Sequence, residues 1–222
     1  MVTTPPPLTK SARIYTELKR EITGGTFRPG EHLVRRALVK RYGVSLSIVN
    51  EALGRLGTDG LVESTDNVGT RVVSLSPQGL RDEFVLREAI ERHVVRILAE
   101  RATDAQLAVL LEDARMIDRW MNELGHDDSQ GGLLHLEFHL KLARTTGFSS
   151  LESNLKRMTM RALLTTRWLK NQQLPHPPDF HEQLVRVLMQ RDPLAADSAM
   201  RAHLYYVDDQ VAKQAASPLP TT

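Results

Sequence analysis

The sequence predicts a mainly α-helical chain in two parts: a small N-terminal module of three short helices and a β-hairpin, then an all-helical antiparallel bundle. Two observations carry this. In residues 10–75, helical stripes alternate with turns marked by Gly and Pro, and they end in two short β-type runs. From Pro77 onward, apolar residues recur at helical spacing through about six segments, with almost no strand pattern and no internal repeat. The expected boundaries are 10–75 and 76–213, with 1–9 and 214–222 as flexible tails.

Each element has a local cause. "SARIYTELKREIT" carries Ile14, Leu18 and Ile22 on one stripe, and Gly24-Gly25 stops it. Pro29-Gly30 punctuates a turn, a second helix covers roughly Val34–Tyr42, and Gly43 ends it. Ser45 caps a third helix that runs to about Leu56 with Val49, Leu53 and Leu56 inside. "GLVESTDNVGTRVV" then reads as a hairpin around residues 66–69. In the bundle, Ser76-Pro77, the Thr103–Gln106 capping box and Asp192-Pro193 mark helix starts. "LGHDDSQGG" and "LPHPPD" read as loops.

Composition narrows the function classes. The chain has 222 residues, 41% hydrophobic and 25% charged, enough for one large domain or two modest ones. No run of ~18 apolar residues would span a membrane, and "MVTTPPPLTK" lacks the apolar stretch of a secretory signal. The absence of cysteine excludes disulfides and thiolate metal sites and fits a cytoplasmic protein. Residues 1–75 hold 11 Lys/Arg against 7 Asp/Glu, whereas the remainder holds 18 against 20. A basic module on a near-neutral body points to nucleic-acid binding by the first part.

Two features of the bundle carry chemistry. The first long helix has a stripe of Leu80, Phe84, Arg87, Glu91, Val94 and Leu98, within about 40° of one direction at ~100° per residue. Arg87 and Glu91 on that stripe form either an intrahelical i, i+4 pair or a site in which Arg87 anchors an anionic ligand. Histidine also recurs on apolar faces. His135 and His139 lie with Phe138 and Leu142, His181 with Leu184, Val185 and Leu188, and His203 with Ala196, Ala199, Met200 and Tyr206. They are either packed core residues or one shared site, since i, i+4 spacing lets two imidazoles reach one ion. His32, His93, His126 and His176 fit no such pattern and are expected at the surface or in loops.

Helix, helix, tight turn, helix and hairpin within ~60 residues is the winged helix-turn-helix arrangement, whose third helix enters the major groove. The elements "G-x-F-x-PGE-x-L", "YGVS", "V-x-EAL-x-RL-x-x-x-GLVE" and "GT-x-V" resemble, in order and spacing, the DNA-binding domain of GntR-type bacterial transcription regulators. The resemblance implies DNA contacts from Arg36, from the turn serine Ser45 and from the wing glycine Gly69. Where that family usually has arginine, this chain has Leu46 and Asn50. Leu46, Ser47 and Asn50 are expected to face the groove, where Asn50 can pair with adenine and Leu46 can pack on a thymine methyl. Arg35, Lys40 and Arg41 add charge for phosphates.

"FVLREAIERHVVRILAERATDAQL", "LHLEFHLKLARTTG" and "HEQLVRVLMQRDPLAADSAMRAHL" resemble the helical ligand-binding (FCD) domain of the FadR branch of that family. The resemblance implies a metal held by an Asp and three His, which map to His139, His181 and His203. The Asp position is His135, so this chain offers four imidazoles and no carboxylate. That donor set favours Zn or Ni over harder ions. Arg87 maps to a ligand-facing position.

The expected function is a DNA-binding transcription regulator, on balance a repressor and not an enzyme. It would act as a homodimer on double-stranded operator DNA and respond to a metal-bound small carboxylate. The alternatives are a DNA-binding dimer with neither metal nor effector, and a metal-dependent hydrolase built on the four histidines. The pattern places no Glu or Asp beside them as a general base.

Overall fold

The computed structural model describes residues 9–66, 68–123, 128–166 and 177–215. His126, His176, Asn67 and the outer parts of both expected tails lie outside them. The chain divides into two compact units, one holding the chain to Gly79 with the end of a later helix from Met160, the other holding the rest from Leu80.

In the first unit, α1 (Lys10–Thr23) starts where the Thr9 side chain accepts from the Ala12 N–H. It buries Ile14, Leu18 and Ile22 against α3 (Leu46–Thr58), whose Val49, Leu53 and Leu56 face back. Between them α2 (Arg35–Tyr42) ends at Gly43, whose φ of 61° is left-handed backbone that favours glycine. Antiparallel β1 (Val62–Thr65) and β2 (Gly69–Val72) form the expected hairpin. The segment after Gly30 pairs with the other edge of β2 through Leu33 N–H to Thr70 O, Val72 N–H to Glu31 O and a His32–Arg71 bridge. The sequence reading did not foresee this pairing, because a three-residue extended run has no detectable alternation.

The second unit is built on α4 (Pro77–Arg101) from Leu80 onward, α5 (Asp104–Glu123), α6 (Asp128–Thr145), α7 (Ser149–Thr166) as far as Thr159, α8 (Phe180–Leu188) and α9 (Pro193–Ala215). The expected starts are present: Gly79 N–H donates to Ser76 Oγ, Thr103 and Gln106 bond reciprocally, and Asp192 accepts from Leu194 and Ala195. α5 packs on α6 and α8, and α8 on α9. Their core includes Leu107, Leu110, Leu142, Val185, Leu188 and Met200, all essentially fully buried. Arg92 ties α4 to α9 through a forked contact with Asp197.

One element differs from expectation. Residues 128–132, read as loop, are the start of α6. Gly131 and Gly132 are its fourth and fifth residues, and their usual penalty of about 1 kcal/mol each is outweighed by the rest of an 18-residue helix. α9 likewise runs to Ala215, two residues into the expected tail. Among the described residues, no helix is long and apolar enough to cross a membrane.

Candidate metal centre and DNA-binding face

α6, α8 and α9 bring the four histidines together. His135, His139, His181 and His203 each turn one ring nitrogen inward, and these four atoms all lie within 4.8 Å of one another. His135 Nδ1 is 2.8 Å from His181 Nε2, and His203 Nε2 is 3.2 Å from His139 Nε2. His139, His181 and His203 are buried, and His135 is partly so. Aromatic rings wall the cluster: Phe180 stacks on His203 at 4.0 Å, and Phe138 meets His181 edge-on at 5.0 Å.

Two carboxylates that the sequence pattern did not place stand behind this cluster, each on the outer nitrogen of a histidine. Glu91 of α4 accepts from His139 Nδ1, and Asp118 of α5 accepts from His181 Nδ1 at 2.6 Å. Each carboxylate fixes its imidazole in the tautomer with the proton on Nδ1, so the Nε2 lone pair points into the cluster. Asp118 also accepts from the His181 and Glu182 backbone N–H groups at 2.9–3.1 Å. It thereby caps α8 from a neighbouring helix, where the local Asp179 makes no side-chain cap. Asp118 escaped the sequence reading. Its one signal is an acid adjacent to Ile117 on the buried side of α5, beside Leu110, Ala114 and Met121.

Arg87 resolves one open choice in the sequence. Its Nε donates to Glu91 Oε1 at 2.5 Å, so the i, i+4 pair exists. Burial alone would raise the Glu91 carboxyl, but His139 and Arg87 beside it hold it down at about 2. Glu91 is therefore anionic, with Arg87 as its permanent counter-charge. Burial pushes His139 down and His135 well below its ordinary value, which keeps both rings neutral at pH 7.

The residues fit a metal by their chemistry. Ligating imidazoles must be neutral, and carboxylate-held histidines are the common outer arrangement of metal sites. Nitrogens sharing one tetrahedral ion with ~2.0–2.1 Å bonds lie roughly 3.3 Å apart, close to the two shorter separations here. No carboxylate enters the donor set, so soft or borderline ions suit it better than Mg or Mn.

A pH dependence follows for protein treated with chelator. Unfolded imidazoles titrate near 6.5, whereas folded His135 and His139 stay neutral below that value. The unfolded state therefore binds more protons below pH 6.5, and stability falls as pH falls through that window. Glu91 adds to the loss lower down, since its contribution is complete above its ordinary 4.5 and disappears toward about 2. The urea midpoint is expected to drop from pH 7 to pH 5, and a His135→Phe variant should flatten the drop. A midpoint constant across that range would contradict this electrostatic picture.

On the first unit, Ser45 caps α3, and Leu46, Ser47 and Asn50 are exposed on the side opposite Val49, Leu53 and Leu56. Arg36, Lys40 and Arg41 are exposed, but Arg41 is paired with the buried Glu21 at 2.9 Å, which offsets its charge. Arg35 is half-buried and bridges Asn50 and Thr70. Gly69 has a φ of 107°, a turn conformation a side chain would strain.

Comparison with known proteins follows the same division. Residues 10–72 match the family described as bacterial regulatory proteins, gntR family, and residues 82–206 match the FCD domain, more than half of the chain. The chain is 32% identical over 191 residues to the Nta operon transcriptional regulator of Aminobacter aminovorans, covering 83% of this chain and 86% of that protein. It is 28% identical over 209 residues to the HTH-type transcriptional repressor GlaR of Escherichia coli, covering 86% and 90%. Its fold is similar to that of E. coli McbR/YncC, with a TM-score of 0.71 at 19% identity over 94% of this chain and 100% of that one. The chain belongs to the GntR family of bacterial regulatory proteins, in the group that carries an FCD domain, and is a DNA-binding transcription regulator rather than an enzyme.

Proposed function

We propose that this regulator is a homodimer, in sum a repressor, whose helical domain (76–213) holds a divalent Zn or Ni ion on His135, His139, His181 and His203. A small carboxylate metabolite would bind that ion and modulate operator binding by the domain at 10–75. One observation carries the reading: four inward imidazole nitrogens within 4.8 Å, two of them oriented by the carboxylates of Glu91 and Asp118. Imidazole donors suit Zn and Ni, and the hydrogen bonds to the outer carboxylates of Glu91 and Asp118 raise the basicity of His139 and His181 as ligands. When bound, the ion supplies an electrophilic position for a carboxylate oxygen.

The protein's own residues do the rest. Glu91 and Asp118 keep His139 and His181 in the ligating tautomer, and Phe138 and Phe180 cover the rings of His181 and His203. Arg87 is held through Nε, and its outer nitrogens are proposed to meet the effector's second anionic group. An effector shifts DNA affinity only through its differential affinity for two arrangements of the dimer. Repression is favoured by likeness to a relative named as a repressor.

On the DNA side, Arg36, Ser45, Leu46, Ser47, Asn50 and Gly69 are proposed to meet the operator, with Arg36 on phosphate. Selection of bound DNA from a random pool by the full chain is expected to enrich a two-fold symmetric sequence, as a symmetric dimer requires. Arg36→Ala should weaken binding about equally across sequences and reduce the salt slope by about one. A pool with no enriched sequence would contradict the proposal, and an asymmetric single site would contradict the dimer.

A further inference from the structure

The exposed side of α3 carries no cation at its reading positions: Leu46, Ser47 and Asn50 are uncharged. The nearest guanidinium arrives from α2. Arg35 Nε donates to Asn50 Oδ1 at 3.0 Å, and Arg35 Nη2 donates to Thr70 Oγ1 at 2.8 Å. Thr70 is 2% exposed and is itself held by Ser64 Oγ at 2.8 Å, so the clamp is anchored in the wing.

Both clamping groups are neutral. They fix the guanidinium plane without cancelling its charge, unlike Arg41, which Glu21 neutralises. The contacts use Nε and Nη2, one lateral edge of the fork. The terminal edge, Nη1 with the second Nη2 hydrogen, has no acceptor among the described residues. That edge is one an arginine can present to guanine O6 and N7 in the major groove. Phosphate neutralisation needs only a charge on a flexible stem, as Arg36 and Lys40 supply, whereas base readout requires an oriented fork.

We propose that Arg35, locked by Asn50 and Thr70, is the specificity-determining residue that reads a guanine in each operator half-site. Position 35 on α2 thereby supplies the arginine that positions 46 and 50 of the reading helix lack. This rests on operator binding by the winged module.

The test uses the full chain, a random-core DNA pool, and the variants Arg35→Gln, Arg35→Lys and Asn50→Ala. Wild type is expected to select guanine at one position of each half-site. Arg35→Gln should lose about ten-fold or more of the discrimination at that position alone, with the remaining positions kept. Arg35→Lys keeps the charge but not the fork, so it should blur the same position and guards against a folding defect in the Gln variant. Asn50→Ala, which frees one side of the clamp, should blur it as well. An unchanged selected sequence in Arg35→Gln and Arg35→Lys would overturn the proposal, whether or not overall affinity or salt slope falls. A wild-type chain that enriches no sequence would sink this proposal and the operator reading together.

Discussion

Purified chain is expected to carry about one Zn or Ni per protomer, and chelation is expected to lower its melting temperature. Free ion at ~100-fold above Kd would add about 2.7 kcal/mol, roughly 8 °C for a unit of this size. The shift arises because unfolding disperses donors that the fold holds within 4.8 Å. His139→Ala removes a buried donor and leaves Glu91 with Arg87 alone, so its basal stability will fall as well. The informative quantity is therefore the response to added metal, which should vanish in His139→Ala and in the less buried His135→Ala should shrink. Equal melting of wild type with metal and with chelator would contradict the metal centre.

Asp118→Ala should be the most damaging single change outside the ligand set. It strips the acceptor from the His181 and Glu182 backbone N–H groups and from His181 Nδ1–H. Buried donors left unpaired cost ~1–3 kcal/mol each, and partial relaxation makes about 3 kcal/mol a reasonable total. Metal affinity should fall about 10–100-fold, as is typical when an outer carboxylate is lost. Asp118→Asn retains an oxygen acceptor and should lie between the two. If Asp118→Ala melts within a degree of wild type and keeps its metal affinity, Asp118 neither caps α8 nor orients His181.

Much of this was legible from local patterns. The stripes Ile14–Leu18–Ile22 and Val49–Leu53–Leu56, the caps at Ser45, Ser76 and Thr103, and the turn at Gly43 each depend on residues a few positions apart. The convergence of His135, His139, His181 and His203 could be anticipated because each lies on an apolar face that must turn inward. The features that escaped are those made by distant partners. Asp118 acts on α8 from 63 residues away, and no spacing rule links an acid on α5 to an unpaired N–H on α8. Arg35 read as one more cation in a basic run, and only the meeting of α2, α3 and β2 distinguishes it from Arg36. The pairing of Glu31 and Leu33 with β2 was hidden for the same reason.

The most direct test of the central claim is DNA binding by the metal-loaded chain, measured on its selected sequence while a panel of small carboxylates is titrated. A metal-gated regulator predicts that one of them changes the affinity by roughly 5–150-fold, the usual range of coupling between sites. It also predicts that the compound is recovered unaltered, and that chelation or His139→Ala abolishes the effect. A carboxylate response that persists in chelated protein, or a metal-loaded chain that binds DNA identically with every carboxylate, would contradict it.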